Sequence, residues 1–286
     1  MKQIFTILLI AFAVYTASAQ TEAISGATEI TVTTGANYAN EVYWGFGNKN
    51  HTVARNTWDI AFTTTKMDIS ILANNGNSVM LYTYSKGAIA DWATVDTTGM
   101  VWNPLYNSIE NWENGAFVQN SNPANQFDYG WGVYNMSSHN IVGDSIYIIK
   151  VADNDFRKLA IVQKNSIQNQ WTFKYAKLDG TDEKTVNFDG DDYSDKKFIH
   201  YSIVNNDFVV QEPKATDWQL LFTRYYDTTI PYYVTGVLVK QGVGVQEVRQ
   251  SGLNQETFTA FDDKGFTENI GTIGSDWKSF SMSSFS

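Results

Sequence analysis

The sequence has no cysteine, only four prolines and only three histidines, and these shortages limit what the protein can be. Without cysteine the chain forms no disulfide, so an exported protein of this length depends on its core alone for stability. A lipoprotein anchor through an N-terminal cysteine is excluded for the same reason. His51, in an Asn/Lys/Gly-rich stretch that predicts an exposed loop, and His200, in a predicted strand, have no metal-binding residue at short spacing.

Catalytic motifs are also missing. The sequence contains no Gly-x-Ser-x-Gly elbow, no His-Glu-x-x-His, no phosphate-binding glycine loop and no thiol nucleophile. A pair of catalytic carboxylates among the thirty acidic residues cannot be singled out by sequence. The acidic run 189–195 lacks the residue order of a calcium loop, so a solvated turn before a strand is expected there. We therefore predict that the protein is not an enzyme.

Positive charge is scarce relative to negative charge. The chain has 20 Lys and Arg against 30 Asp and Glu, which gives a net charge of −10 and a pI near 4.7. Polyanions such as nucleic acid and anionic lipid surfaces are repelled by such a chain. The composition therefore predicts that neither is a partner.

The first nineteen residues have the pattern of a secretory signal peptide. Lys2 precedes an apolar run from Ile4 to Val14, and the small residues Ala17-Ser18-Ala19 form a cleavage site before Gln20. The alternative, a transmembrane helix, needs roughly 20 apolar residues, and this run is shorter. No later segment resembles a membrane span. We predict a signal peptide at 1–19, a secreted or cell-surface protein, and no membrane insertion after signal removal.

The remaining chain is rich in strand signals. Hydrophobic residues make up 43% and aromatic residues 15%, enough for a sizeable core. Short β-branched or aromatic segments are bounded by Gly, Asn and Asp, and helix signals are weak. The pattern predicts an all-β fold of antiparallel sheets, with a hairpin whose turn is Asp153-Asn154-Asp155. The predicted strands are Glu29–Thr33, Glu41–Phe46, Trp58–Thr63, Met67–Leu72, Ser78–Tyr84, Trp131–Tyr134, Ser145–Ala152, Arg157–Gln163 and Gln170–Leu178.

A tryptophan motif occurs twice and indicates an internal repeat. Trp58–Thr63 and Trp218–Thr223 share the pattern Trp-x-aliphatic-x-Phe-Thr, which as a strand places its apolar residues on one face. Three flanking aromatics also match, Tyr38, Tyr43 and Phe46 with Tyr193, Phe198 and Tyr201, in an alignment that sets Trp44 against Ile199. The segments 130–138 and 276–284 match downstream. A repeat of this length predicts tandem domains, since solenoid repeats span only roughly 20–50 residues.

The repeat predicts two domains, at 20–182 and 183–286. The second copy has no counterpart of Ser145–Leu178, which supply three strands of the first copy. Such a truncated copy leaves sheet edges unpaired, which native proteins avoid. The second half is therefore expected either to pack against the first domain or to continue in a longer product beyond Ser286.

The strand motifs together resemble the HmuY family. The resemblance is carried by Trp58–Phe62, Asp68–Ile71, the hairpin over 145–163 and Trp171–Ala176. It covers most of 29–180 and, more weakly, 185–286. Members are haem-binding proteins exported by Bacteroidetes-type bacteria and have an all-β fold. The resemblance implies a fold of this type and a role in iron acquisition.

The same resemblance implies where the iron ligands lie. The family's second ligand follows a Gly-Trp by five residues, which here gives Met136, with His139 three residues further on. The first ligand is expected between about 96 and 128, where Met100 is the only methionine and no histidine occurs. Histidine and methionine are both axial haem ligands. From the residues alone, Met136 could equally fill core and His139 cap a turn before Gly143.

The resemblance implies a haemophore-like protein that sequesters haem in an apolar cleft without turnover. Haem or a haem-carrying protein is the expected partner, with an outer-membrane receptor as a further one. The alternative is a cell-surface module that binds glycan or protein through aromatic loops and takes no haem. The aromatic residues of that alternative, which could also be core, are Trp92, Trp102, Tyr106 and Trp112.

Overall fold

The computed structural model describes residues 5–9, 28–47, 49–247, 265–275 and 277, and it confirms the all-β prediction. Within these ranges the only helical segments are short 3₁₀ turns, at Ala36–Tyr38, Arg55–Thr57, Asn75–Asn77, Ile89–Thr94, Ala116–Val118 and Gly190–Tyr193. The strands are β1 (Phe5–Leu9), β2 (Thr28–Val32), β3 (Asn40–Gly45), β4 (Lys49–Ala54), β5 (Ile60–Thr63), β6 (Ile71–Ala73), β7 (Met80–Thr83), β8 (Pro104–Leu105), β9 (Gly132–Asn135), β10 (Asn140–Gly143), β11 (Tyr147–Ala152), β12 (Asp155–Asn165), β13 (Gln170–Lys177), β14 (Lys184–Asp189), β15 (Phe198–Ser202), β16 (Asp207–Val209), β17 (Leu220–Asp227) and β18 (Tyr232–Val239).

The largest sheet is antiparallel and has the order β14-β13-β12-β11-β7-β8, with the β9–β10 hairpin joined to β12. Its centre is the predicted hairpin, in which β11 and β12 meet at a turn where Asn154 has a φ of 62°. Asparagine tolerates this left-handed conformation better than most residues. This sheet, called the large sheet below, carries the turn between β9 and β10 at one end.

Two four-stranded antiparallel sheets complete the described fold. The β3 sheet has the order β18-β17-β3-β4, and the β5 sheet has the order β16-β15-β5-β6. Each of them combines one hairpin from the first half of the chain with one hairpin from the second half. The two halves have therefore exchanged strands, and the two tryptophan motifs occupy equivalent positions in the two sheets.

Strand register corrects the alignment of the repeat by two residues. Leu220 lies opposite Trp44 in the β3 sheet, and Ile60 lies opposite Tyr201 in the β5 sheet. Trp44 is thus the counterpart of Tyr201 rather than of Ile199. A shift of two keeps every side chain on its own face, so the apolar pattern cannot distinguish the two alignments.

The boundary predicted near residue 183 does not separate two domains. Strand β14 pairs with β13 in the large sheet, β15 pairs with β5, and β17 pairs with β3. The physical reason is that each half contributes a single hairpin to each small sheet, and a lone hairpin is only marginally stable in water. Packing of the second half against the first, one of the two expected arrangements, is what the sheets show. The matched segment 276–284 lies outside the described residues except for Trp277.

The main core lies between the large sheet and the β5 sheet. Phe62 packs against Trp171 and Phe173, with ring centroids 5.3 and 4.9 Å apart. Side chains alternate along β11, so Tyr147 and Ile149 face this core. Ile148 faces the opposite side, in a smaller cluster with Tyr84, Trp92 and Met100.

At the N-terminus, β1 pairs with β2 in a separate two-stranded sheet. Residues 1–4 and 10–27 lie outside the described residues, so the signal peptide at 1–19 and its cleavage before Gln20 stay predictions. Among the described residues no helix is both long and apolar enough to cross a bilayer.

Candidate functional site

An open groove of about 800 Å³ lies at the end of the large sheet, beside the β9–β10 turn. This volume is within the usual range of ligand-binding clefts, roughly 300–1,000 Å³. We call it the His139 groove. It is lined by Lys66, Met67, Ile69, Gln126, Phe127, Tyr129, Tyr134, His139, Ile141, Ser166 and Ile167.

The turn between β9 and β10 places His139 at this groove. The side chain of Asn135 accepts hydrogen bonds from the backbone N–H groups of Ser137 and Ser138, at 2.9 and 3.1 Å. The backbone N–H of His139 then donates to the Asn135 carbonyl at 2.8 Å, and His139 itself has a φ of 55°. This left-handed position ends the turn and returns the chain into β10.

The imidazole of His139 is oriented by a tyrosine. Its Nδ1 lies 2.8 Å from the hydroxyl of Tyr134, whose ring stacks on Phe127 with centroids 6.1 Å apart. When Nδ1–H donates to this hydroxyl, Nε2 carries the lone pair. Metal-binding histidines are commonly fixed by such a hydrogen bond at the second ring nitrogen. With Nδ1–H donating to Tyr134, His139 has Nε2 available as a ligand.

The wall opposite His139 is the loop after β5, and a buried lysine holds it. Lys164 is fully buried, donates to the carbonyls of Thr65, at 2.7 Å, and Asp68, and lies 4.5 Å from the ring centroid of Trp171. Burial lowers the pKa of Lys164 to about 7. Lys197 also forms an ion pair with the Asp68 carboxylate, at 2.5 Å. The backbone that carries Met67 is thus tied to the sheet, while the Met67 side chain is 88% exposed.

The structure brings one of the three predicted haem ligands to the groove. Met136 lies in the same turn as His139 but is 64% exposed and is not among the lining residues. Met100 is 5% exposed and packs with Trp92 and Ile148 on the far face of the large sheet. Met67, which does line the groove, falls outside the segment in which the family resemblance placed the first ligand.

The aromatic residues of the alternative binding module are mostly engaged within the fold. The indole N–H of Trp92 donates to Glu183 at 2.8 Å, and that of Trp112 donates to the Val239 carbonyl at 2.9 Å. Tyr106 stacks on a neighbouring tyrosine with ring centroids 3.7 Å apart. Trp102 is the most exposed of the four, at 41%.

The acidic run at 189–195 forms a 3₁₀ turn. The Asp189 side chain accepts a hydrogen bond from the backbone of Asp191, and the Asp191 carboxylate accepts one from the Asn169 side chain, each at 2.8 Å. Across the described ranges no cluster of three or more His, Asp or Glu side chains is arranged to hold a metal ion.

Comparison with protein-family models, with curated proteins and with solved structures gave no match for this chain. The functional assignment therefore depends on the geometry of the sites.

Proposed function

We propose that the protein binds haem in the His139 groove and sequesters it without turnover. The observation that carries this proposal is the imidazole of His139, which Tyr134 orients at the edge of a large groove with aromatic and aliphatic walls. Both features suit haem, because histidine is a common ligand of haem iron and apolar surfaces pack against the porphyrin faces.

The chemistry of the remaining wall residues also suits haem. Phe127, Tyr129 and Tyr134 supply flat aromatic surface, and Ile69 and Ile141 supply aliphatic surface. A cation at the rim matches the carboxylates of the porphyrin edge. Lys66 is that cation. Its side chain is half exposed, and its Nζ forms an ion pair with the Asp191 carboxylate at 3.4 Å.

His139 would hold the iron through Nε2, and methionine would supply the second axial ligand. Met67 lines the same groove, and its side chain is 88% exposed. Met136 is the second candidate, because it lies three residues before His139 in the turn. When bound, haem supplies an iron centre whose potential rises with methionine ligation.

Four alanine variants test this assignment when each is titrated with haemin and followed by its Soret band. His139→Ala should weaken binding about tenfold or more, because one ligand bond is lost. Met67→Ala should keep one-equivalent binding but lose the low-spin spectrum. Met136→Ala and His51→Ala, which removes an imidazole from β4, should behave as the wild type.

Three results would change this assignment. A wild-type spectrum in His139→Ala would place the iron elsewhere. A loss of the low-spin spectrum in Met136→Ala but not in Met67→Ala would assign the second ligand to the turn. Absence of any spectral change in the wild type would favour the glycan- or protein-binding alternative.

A further inference from the structure

A second cavity, of about 80 Å³, lies between the β3 sheet and the β5 sheet, away from the His139 groove. We call it the inter-sheet cavity. Trp112 packs against the hydrophobic clusters of both sheets at this place. The side chains that line it include Glu41, Tyr43, Trp58, His200, Glu212 and Trp218.

The strand exchange builds the two aromatic walls of this cavity. Trp58 meets His200 edge-on, with centroids 4.6 Å apart, and Trp218 meets Tyr43 in the same way at 5.1 Å. His200 lies opposite Ala61 in the β5 sheet, and Tyr43 lies opposite Leu221 in the β3 sheet. The two pairs are therefore counterparts, each formed by one residue from either half of the chain. Two facing aromatic walls favour a flat, apolar ligand.

The hydrogen bonding of the two walls differs. The indole N–H of Trp218 donates to Glu212 at 3.1 Å. Trp58 Nε1 and His200 Nδ1 form no hydrogen bond within the described part of the chain, although their side chains are 7% and 4% exposed. A buried polar group without a partner costs roughly 1–3 kcal/mol, which a ligand that pairs with it would recover.

Nearby carboxylates do not supply the hydrogen bonds that Trp58 and His200 lack. Glu41 accepts hydrogen bonds from Gln211 and Thr223, both at 2.8 Å. Burial raises the pKa of Glu41, and the nearby indole N–H of Trp58 opposes this rise, but the N–H does not reach hydrogen-bonding geometry with the carboxylate. Burial lowers the pKa of His200 to about 3, so the imidazole is neutral and one of its nitrogens accepts. A neutral ligand that both donates and accepts suits this wall.

We propose that the inter-sheet cavity binds a neutral, one-ring aromatic alcohol, of which phenol is the simplest. A hydroxyl accepts a hydrogen bond from the Trp58 N–H and donates one to His200. The cavity has room for roughly half a dozen water-sized groups, which is the size of a single ring with one substituent. A charged ligand is disfavoured at the Trp58–His200 wall because it would lose its hydration beside two buried, uncharged side chains. This site is independent of the proposed haem function.

The test is a titration of the full-length protein with phenol, followed by the indole N–H resonances in ¹H–¹⁵N NMR spectra. Trp58→Phe assigns the resonance of Trp58. We expect this resonance to shift saturably with phenol. Toluene, which has the same shape without the hydroxyl, should bind about tenfold more weakly, the effect of one lost hydrogen bond.

His200→Phe keeps the ring and removes the acceptor, so it should weaken phenol binding about tenfold and leave toluene unchanged. His139→Ala should bind phenol as the wild type does, which separates this site from the haem site. If His200→Phe fails to fold, the comparison of phenol with toluene in the wild type still decides. No saturable shift up to about 10 mM phenol, or equal affinity for both compounds, would overturn the proposal.

Discussion

Lys164 is a fully buried lysine, and its contacts show what it does. It donates to the carbonyls of Thr65 and Asp68 in the loop that carries Met67. Lys164→Met keeps the length of the side chain but leaves both carbonyls without this donor. We expect the free energy of unfolding in urea to fall by about 1–3 kcal/mol. Lys174→Met is the matched control, because Lys174 also lies over a tryptophan ring but is only partly buried.

The control should change stability by less than about 0.5 kcal/mol. Equal unfolding free energies for wild type and Lys164→Met would mean that Lys164 does not hold this wall. If Lys164→Met is stable and binds haemin as tightly as the wild type, haem binding does not require Lys164 to hold this loop.

Glu212 gives stability a pH dependence of predictable sign. Its carboxylate accepts hydrogen bonds from the backbone of Lys197 and Phe198 and from Trp218, yet burial raises its pKa from 4.5 to about 7. The folded protein therefore keeps this proton to higher pH than the unfolded chain does. The stabilising contribution is complete below about pH 4.5 and is lost as the pH rises through about 7.

Glu212→Gln removes this titration. Between pH 5 and 8 the wild type should lose about 3 kcal/mol of unfolding free energy relative to Glu212→Gln, from the size of the pKa shift. Urea unfolding at several pH values measures the difference, with the exposed Glu110→Gln as control. A difference that does not change with pH would mean that Glu212 is not protonated in the folded state at pH 5.

At the scale of elements, the sequence predicted the positions of strands better than it predicted which strands pair. Strands β5, β11, β12 and β13 follow their apolar alternation closely. Strand β4 was missed, since its residues read as an exposed loop around His51, and in the structure they form a polar edge strand. The predicted strand Met67–Leu72 begins only at Ile71, because the contacts of Lys164 and Lys197 hold the preceding residues in a loop.

Strand β1 pairs only with β2 in the described structure, so its removal should cost little. A protein that starts at Gln20 should therefore melt within a few degrees of the full chain, because neither the large sheet nor the two smaller sheets lose a strand. Thermal unfolding by circular dichroism compares the two proteins. A much lower melting temperature for the shortened protein would show that β1 belongs to the core.

At the scale of the whole molecule, the sites differ in how far the sequence predicted them. The family resemblance, through the spacing from Trp131, gave Met136 with His139 three residues further on, whereas Met67 carried no signal that separated it from other loop methionines. The two aromatic walls of the inter-sheet cavity come from four separate segments, those of Tyr43, Trp58, His200 and Trp218. Their proximity depends on strand exchange, which a local pattern does not encode.

Strand exchange predicts that the second half does not fold alone. In isolated 183–286, β15 loses its partner β5 and β17 loses its partner β3. We expect no cooperative thermal transition from this fragment, and recovery of one when it is refolded with 20–182. A sharp, reversible transition in the isolated fragment would show that it is an independent domain.

The central claim, haem binding, is tested most directly by titrating the wild-type protein with haemin and recording the Soret band. The account predicts saturation at one equivalent and a low-spin spectrum, because His139 and a methionine would both ligate the iron. No spectral change up to tens of micromolar haemin, or a change that does not saturate, would contradict it.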